Sequence, residues 1–150
     1  MSQSLARILT HLVFSTKSRE PLIHDGIRDE LHRYSATILV DIDSPAILIN
    51  SVEDHVHVLL ALSKNHALKD VVEKLKKETS KWTKRRDSGL TNFYWQAGYG
   101  AFSVSQSNVP AVTRYIANQR AHHAKTSFQD ELRALLRRHK VEFDERYVWD

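Results

Sequence analysis

Two histidines one residue apart, His55 and His57, stand inside an otherwise apolar run, EDHVHVLLAL at residues 53–62. In a β-strand alternate residues share a face, so both imidazoles would project together, about 6 to 7 Å apart, while Val56 and Val58 enter the opposite side. Two rings placed this way could share one metal ion. Taken alone, the pair is better read as two hydrogen-bonded structural histidines, because a ligand pair needs a third ligand and a reactive group from elsewhere in the chain. A histidine-triad nucleotide hydrolase would continue with a third histidine at the next alternate position, where Leu59 stands. A two-histidine phosphoesterase needs two separated H-x-Thr/Ser motifs, but Val58 follows His57 and no second copy exists. A zinc site usually gathers further His or Cys; the chain has no Cys, and His122 and His123 keep a metal hydrolase open.

The candidate partner segment is TRYIANQRAHH, residues 113–123. In a helix Tyr115 and Gln119, four apart, share a face, and His122 and His123 fall one further turn along. On this segment alone Tyr115, flanked by Val112 and Ile116, reads as a half-buried core residue and Gln119 as a solvated one.

These side chains have to be positioned by regular elements. SLARILTHLVFST (4–16) alternates with Ile8, Thr10, Leu12 and Phe14 on one side, a strand pattern. Residues 25–40 place Ile27, Leu31, Tyr34 and Ile38 at helical spacing. Pro45 opens a strand, AILINSVE, and the break at Glu53 and Asp54 leads into HVHVLLAL, a β-hairpin. From Leu68 to about Arg86 a stripe of Leu68, Val71, Val72, Leu75, Thr79 and Trp82 leaves Lys69, Lys76, Lys77, Lys84 and Arg85 off it, a helix with one buried and one basic face. NFYWQAGYGAFSVS (92–105) is β-prone with a bend at Gly98 and Gly100. Asn108 reads as an N-cap with Pro110 in the first turn of a helix running through the tyrosine segment, and a last helix covers about 127–138. The order β-α-β-β-α-β-α predicts an α+β fold, a ferredoxin-like split βαβ sheet with helices on one face and a C-terminal helical extension.

With 150 residues and 41% apolar side chains, the chain is expected to form a single domain, 1–150. Its net charge of +4 is concentrated: residues 64–86 hold nine basic and three acidic side chains, for +6. That segment predicts a local polyanion-binding face rather than general basicity. The absence of Cys excludes disulfides and thiolate metal sites and suits a reducing compartment. The N-terminal segment has only short apolar runs broken by Arg7 and His11, so a cytoplasmic protein with no membrane partner is expected.

Together, DHVHVLL (54–60), VVEKLKKETSKWTK (71–84), FYWQAGYGAFSVSQSNV (93–109) and YIANQRAHH (115–123) resemble the single-tyrosine HUH transposases. These are the small single-strand DNA transposases of bacterial insertion sequences, with the related REP-associated tyrosine transposases. The resemblance runs from HLVFSTKSREPLI to the tail FDERYVWD. It implies that His55, His57 and Gln119 bind a divalent metal, Mg²⁺ or Mn²⁺, and that Tyr115 is the catalytic nucleophile, with no departure at these four positions. It implies single-stranded DNA with hairpin ends as substrate, strand cleavage and rejoining through a 5′-phosphotyrosine, and a homodimer in which the tyrosine helix can complete the partner's site. The basic helix then offers Lys76, Lys77, Lys81, Lys84 and Arg85 for DNA phosphates. Because a free tyrosine titrates near pH 10 and Gln119 does not titrate near neutrality, the general base stays unassigned. Two other readings are a non-catalytic nucleic-acid-binding module on the same scaffold, descended from a transposase, and a metal phosphodiesterase that uses water.

Overall fold

The first strand carries two different sets of side chains on its two faces: Thr10, Leu12 and Phe14 on one, His11, Val13 and Ser15 on the other. In the computed structural model, which describes residues 2–150, that strand is β1 (Ile8–Ser15). It is followed by α1 (Asp25–Asp41), β2 (Ala46–Ser51), β3 (His55–Leu62), α2 (Leu68–Arg86), β4 (Gly100–Val104), α3 (Val109–Ala117), α4 (Gln119–His123) and α5 (Phe128–Arg138). The four strands form one sheet in the order β2-β3-β1-β4, with every neighbouring pair antiparallel. This is the ferredoxin-like split βαβ arrangement that the element order predicts.

Register decides which residues meet. Val13 pairs with His57, Ser15 with His55 and His11 with Leu59, and directly opposed residues share a face. On one face Leu12, Phe14, Val56, Val58 and Leu60 pack with Leu39 of α1 and Val71, Val72 and Leu75 of α2. On the other, Val13 and Phe102 pack with Phe128, Leu132, Leu135 and Leu136 of α5, and Phe143, Val148 and Trp149 of the tail close the edge. The C-terminal extension therefore covers the sheet face that carries the histidines.

Local sequence explains the helix ends. His24 Nδ1 accepts from the Gly26 N–H at the start of α1, and Ser127 Oγ accepts from the Asp130 N–H at the start of α5. Asp70 lies in the first turn of α2 and Lys84, Arg85 and Arg86 in its last, each matching the helix dipole. Three expectations change in detail. The β-prone stretch 92–105 contributes only β4, with Trp95 making a single bridge to Thr16. Asn108 ends a 3-10 turn and makes no side-chain cap. The helix through the tyrosine segment breaks at Asn118 (φ −97°, ψ 21°), which separates α3 from α4.

Gly100 lets α5 lie close to the sheet. A Cβ there would stand 3.0 Å from Leu132 Cδ1 and 3.1 Å from Val13 Cγ1, so any side chain pushes α5 outward. We predict that Gly100→Ala lowers stability by about 1–3 kcal/mol, the usual range for overpacking, measured by urea unfolding; an unchanged midpoint would contradict the close α5 packing.

Candidate active site

The histidine-bearing face places polar side chains where the opposite face places aliphatic ones. His55 and His57 are fully buried on β3, their rings 5.2 Å apart between centroids. Each ring is held from behind through Nδ1: His55 by Asp54 Oδ1 at 2.7 Å and His57 by His11 Nε2 at 2.8 Å. Their Nε2 atoms then point into the space under α4 and α5.

A carboxylate, Glu131 of α5, fills that space. Its Oε1 lies 3.2 Å from His55 Nε2, 2.9 Å from His57 Nε2 and 2.9 Å from His123 Nε2. Its Oε2 accepts from the Tyr115 hydroxyl and, at 3.1 Å, from Gln119 Nε2. Gln119 is fully buried, with Oε1 3.3 Å from His55 Nε2. The Tyr115 ring stands 5.8 Å from that of His57 and 6.0 Å from that of His11. His55, His57, Tyr115 and Gln119, separated by up to 64 positions in sequence, thus meet in one site of one chain. Gln119 reaches it in spite of the helix break, and its burial replaces the solvated position that its segment alone suggested.

Electrostatics follow from these contacts. Burial favours a neutral His55, but hydrogen bonds to Asp54 and Glu131 outweigh it and push the imidazole up to about 9. His57 is lowered, chiefly by burial, against the pull of Glu131; it has His11 behind it where His55 has a carboxylate. Burial and then His57 hold His11 down to about 3. Burial would raise Glu131, yet the hydrogen bonds from His123, His55 and His57 keep it well below the usual carboxylate range. The Tyr115 phenol is pushed above its ordinary value, first by burial and then by the Glu131 charge.

Among the described residues, His55, His57, His123 and Glu131 form a group whose ligand atoms all lie within 4.8 Å of one another and could hold a metal ion. The donor chemistry fits: Nε2 of both strand histidines faces the group while Nδ1 is engaged elsewhere, the usual arrangement behind a metal-bound imidazole. His123 entered the sequence reading only as an option for a metal hydrolase, and Glu131 and His11 are the members that it missed as site residues. Each left a signal. Glu131 falls on the same helical stripe as Phe128, Leu132 and Leu135, an acid where the pattern asks for an apolar residue, and His11 falls on the strand face opposite Leu12 and Phe14.

The five basic residues of α2 expected at DNA phosphates divide. Lys76 is engaged within the chain: its ammonium donates to the carbonyls of Gln96, Ala97 and Gly98 and lies 5.0 Å over the Phe14 ring. Burial lowers it to about 8. Lys77, Lys81 and Arg85 are exposed, and Lys84 Nζ sits 3.9 Å over the ring of exposed Tyr94.

The chain belongs to the IS200-like transposases: the family model described as "Transposase IS200 like" matches residues 4–119, which include all four strands, Tyr115 and Gln119. Two solved structures share the fold. A Deinococcus radiodurans R1 protein described as a transposase is 22% identical with a TM-score of 0.62, over 79% of this chain and 98% of that one. A REP-associated tyrosine transposase bound to a REP hairpin is 14% identical with a TM-score of 0.60, over 84% of this chain and 76% of that one. No curated protein matches the chain. Among the described residues no helix is long and apolar enough to cross a membrane.

In metal-free protein, ¹⁵N spectra of the histidine rings should show His55 retaining the charged pattern through about pH 8 while His11 stays neutral down to about pH 4. Both rings titrating together near pH 6.5 would contradict the network.

Proposed function

We propose that this protein cleaves and rejoins single-stranded DNA, with Tyr115 as nucleophile beside a divalent cation held by His55, His57 and Gln119. The observation that carries the reading is the convergence of the tyrosine, the glutamine and both histidines on one buried site, with Gln119 Oε1 3.3 Å from His55 Nε2 and the Tyr115 and His57 ring centroids 5.8 Å apart. Mg²⁺ or Mn²⁺ would neutralise the phosphate oxygens and orient the phosphorus for in-line attack. Imidazole ligands suit Mn²⁺ better than Mg²⁺.

The chain's own residues do the rest. Asp54 and His11 fix the two rings of the HxH pair. Tyr115 attacks the phosphorus through its phenolic oxygen, the bond from phosphorus to the 3′-oxygen breaks, and the products are a 5′-phosphotyrosine and a strand ending in a 3′-hydroxyl, which takes up the proton. The same exchange run backwards, with this hydroxyl or another, joins strands and needs no nucleotide cofactor, because the phosphoester is conserved. The raised Tyr115 phenol makes help with deprotonation necessary, and burial beside the cation site is where a positive charge lowers that barrier.

Hairpin-ended DNA as the substrate is supported by the neighbour that is bound to a REP hairpin. Lys77, Lys81 and Arg85, with Lys84 stacked on Tyr94, supply the mixture of cations and aromatic surface that single strands favour. α3 lies against β2 and β3 of its own chain, so each site can use its own Tyr115. A homodimer, which the family resemblance implies, would bring two DNA ends together for exchange. One domain spanning 1–150 would then both bind and cleave.

With single-stranded DNA carrying cognate ends and Mn²⁺, a denaturation-resistant protein–DNA adduct is expected on gels. Tyr115→Phe should abolish it and His55→Ala should reduce its rate by at least about 100-fold, the scale of losing one electrostatic catalytic contact. An adduct that persists in Tyr115→Phe rules this reading out.

A further inference from the structure

The family match ends at residue 119, while Glu131 and His123, the residues that close the site, lie beyond it. We propose that Glu131 is itself a ligand of the cation, joined by His123, so that the site takes a divalent transition ion of the Mn²⁺ class in a histidine-rich set with one carboxylate. This rests on the reading that His55 and His57 hold a cation.

Three observations carry it. The first is spacing. Two donors about 2.1 Å from a cation and at right angles to one another are roughly 3.0 Å apart. Glu131 Oε1 stands 3.2, 2.9 and 2.9 Å from the Nε2 atoms of His55, His57 and His123, the separation of adjacent ligands around one ion.

The second is hydrogen position. His55 Nδ1 faces the Asp54 carboxylate at 2.7 Å and His123 Nδ1 faces the Thr126 carbonyl at 2.6 Å. Both partners only accept, so both rings carry a hydrogen on Nδ1. Nε2 is therefore the nitrogen that each ring turns toward Glu131 Oε1, and without a metal its hydrogen fills the space between them. A divalent ion that displaced those hydrogens would meet the Nε2 lone pairs and the carboxylate oxygen together.

The third is the remaining polar surface. His122 Nε2 is buried with no hydrogen-bond partner, 3.4 Å from Glu131 Oε2 and outside hydrogen-bond geometry. Gln119 Nε2 and the Tyr115 hydroxyl both donate to Oε2, which turns Oε1 toward the imidazoles. The donor set also discriminates between ions: the imidazoles favour transition ions over Mg²⁺, and the carboxylate suits Mn²⁺ among them.

The test is Mn²⁺ binding by the full chain, followed by the loss of the free-ion EPR signal, with circular dichroism to check folding. Removing a partner that only orients a ligand costs 10–100-fold in metal affinity. As a ligand, Glu131 should therefore lose more than about 100-fold in Glu131→Gln, with His123→Ala also weakened and Glu131→Asp partly retaining binding. A measurement on the wild-type chain avoids any folding defect: with ¹³C-carboxyl glutamate incorporated, ENDOR of bound Mn²⁺ should show the strong coupling of a directly bound carboxylate. If Glu131→Gln loses less than about 100-fold in Mn²⁺ affinity, or the ¹³C coupling is absent, while His55→Ala loses binding, the inference fails and the histidine site stands. If His55→Ala also binds normally, both readings fall.

Discussion

A carboxylate only 2% exposed needs hydrogen-bond donors within the protein, because it has no water to turn to. Glu131 finds them on three elements: His55 and His57 on β3, Tyr115 on α3, and Gln119 and His123 on α4. Much else is arranged to make that possible. Gly100 lets α5 approach the sheet, the stripe of Phe128, Leu132 and Leu135 anchors it, and the tail residues Val148 and Trp149 pack over its outer edge. Breaking a buried charge pair by removing one partner typically costs about 3–5 kcal/mol, so the members of this network hold one another in place.

The two faces of the sheet therefore do different work. Beneath α1 and α2 the aliphatic face supplies burial and a rigid platform. On the other face the strand alternation that buries Val56 and Val58 presents His55 and His57 side by side, and the antiparallel register brings Val13 opposite His57 and Ser15 opposite His55. The proposed reaction would depend on such a platform, since in-line attack on a phosphodiester needs the nucleophile and the charge-neutralising groups held to a fraction of an ångström. The asymmetry between the two histidines follows from what stands behind them: a carboxylate behind His55 raises it, and a second imidazole behind His57 does not.

Much of this was legible in the sequence where a period ran uninterrupted. The alternation in SLARILTHLVFST and HVHVLLAL gave β1 and β3, and the stripe Val71, Val72, Leu75 and Thr79 gave α2. The same-face placement of His55 and His57 follows from strand geometry alone. Less was legible where tertiary packing decides. Gln119 reads as a surface residue on its own helix but is buried between His55 of β3 and Glu131 of α5. Lys76 looks like any other lysine of the basic helix until the turn at residues 96–98 directs three carbonyls at it. Glu131 is the instructive case: an acid on an apolar stripe marks a buried partner, but the partner's identity depends on which sheet face α5 covers.

The most direct measurement is identification of the residue that carries DNA after reaction. Trypsin digestion of the covalent adduct, followed by nuclease trimming and mass spectrometry, should place a phosphodiester on the peptide 115–120, which holds Tyr115 and Gln119. DNA attached at Tyr34, Tyr94, Tyr99 or Tyr147, or strand cleavage with no attached residue at all, would contradict the account.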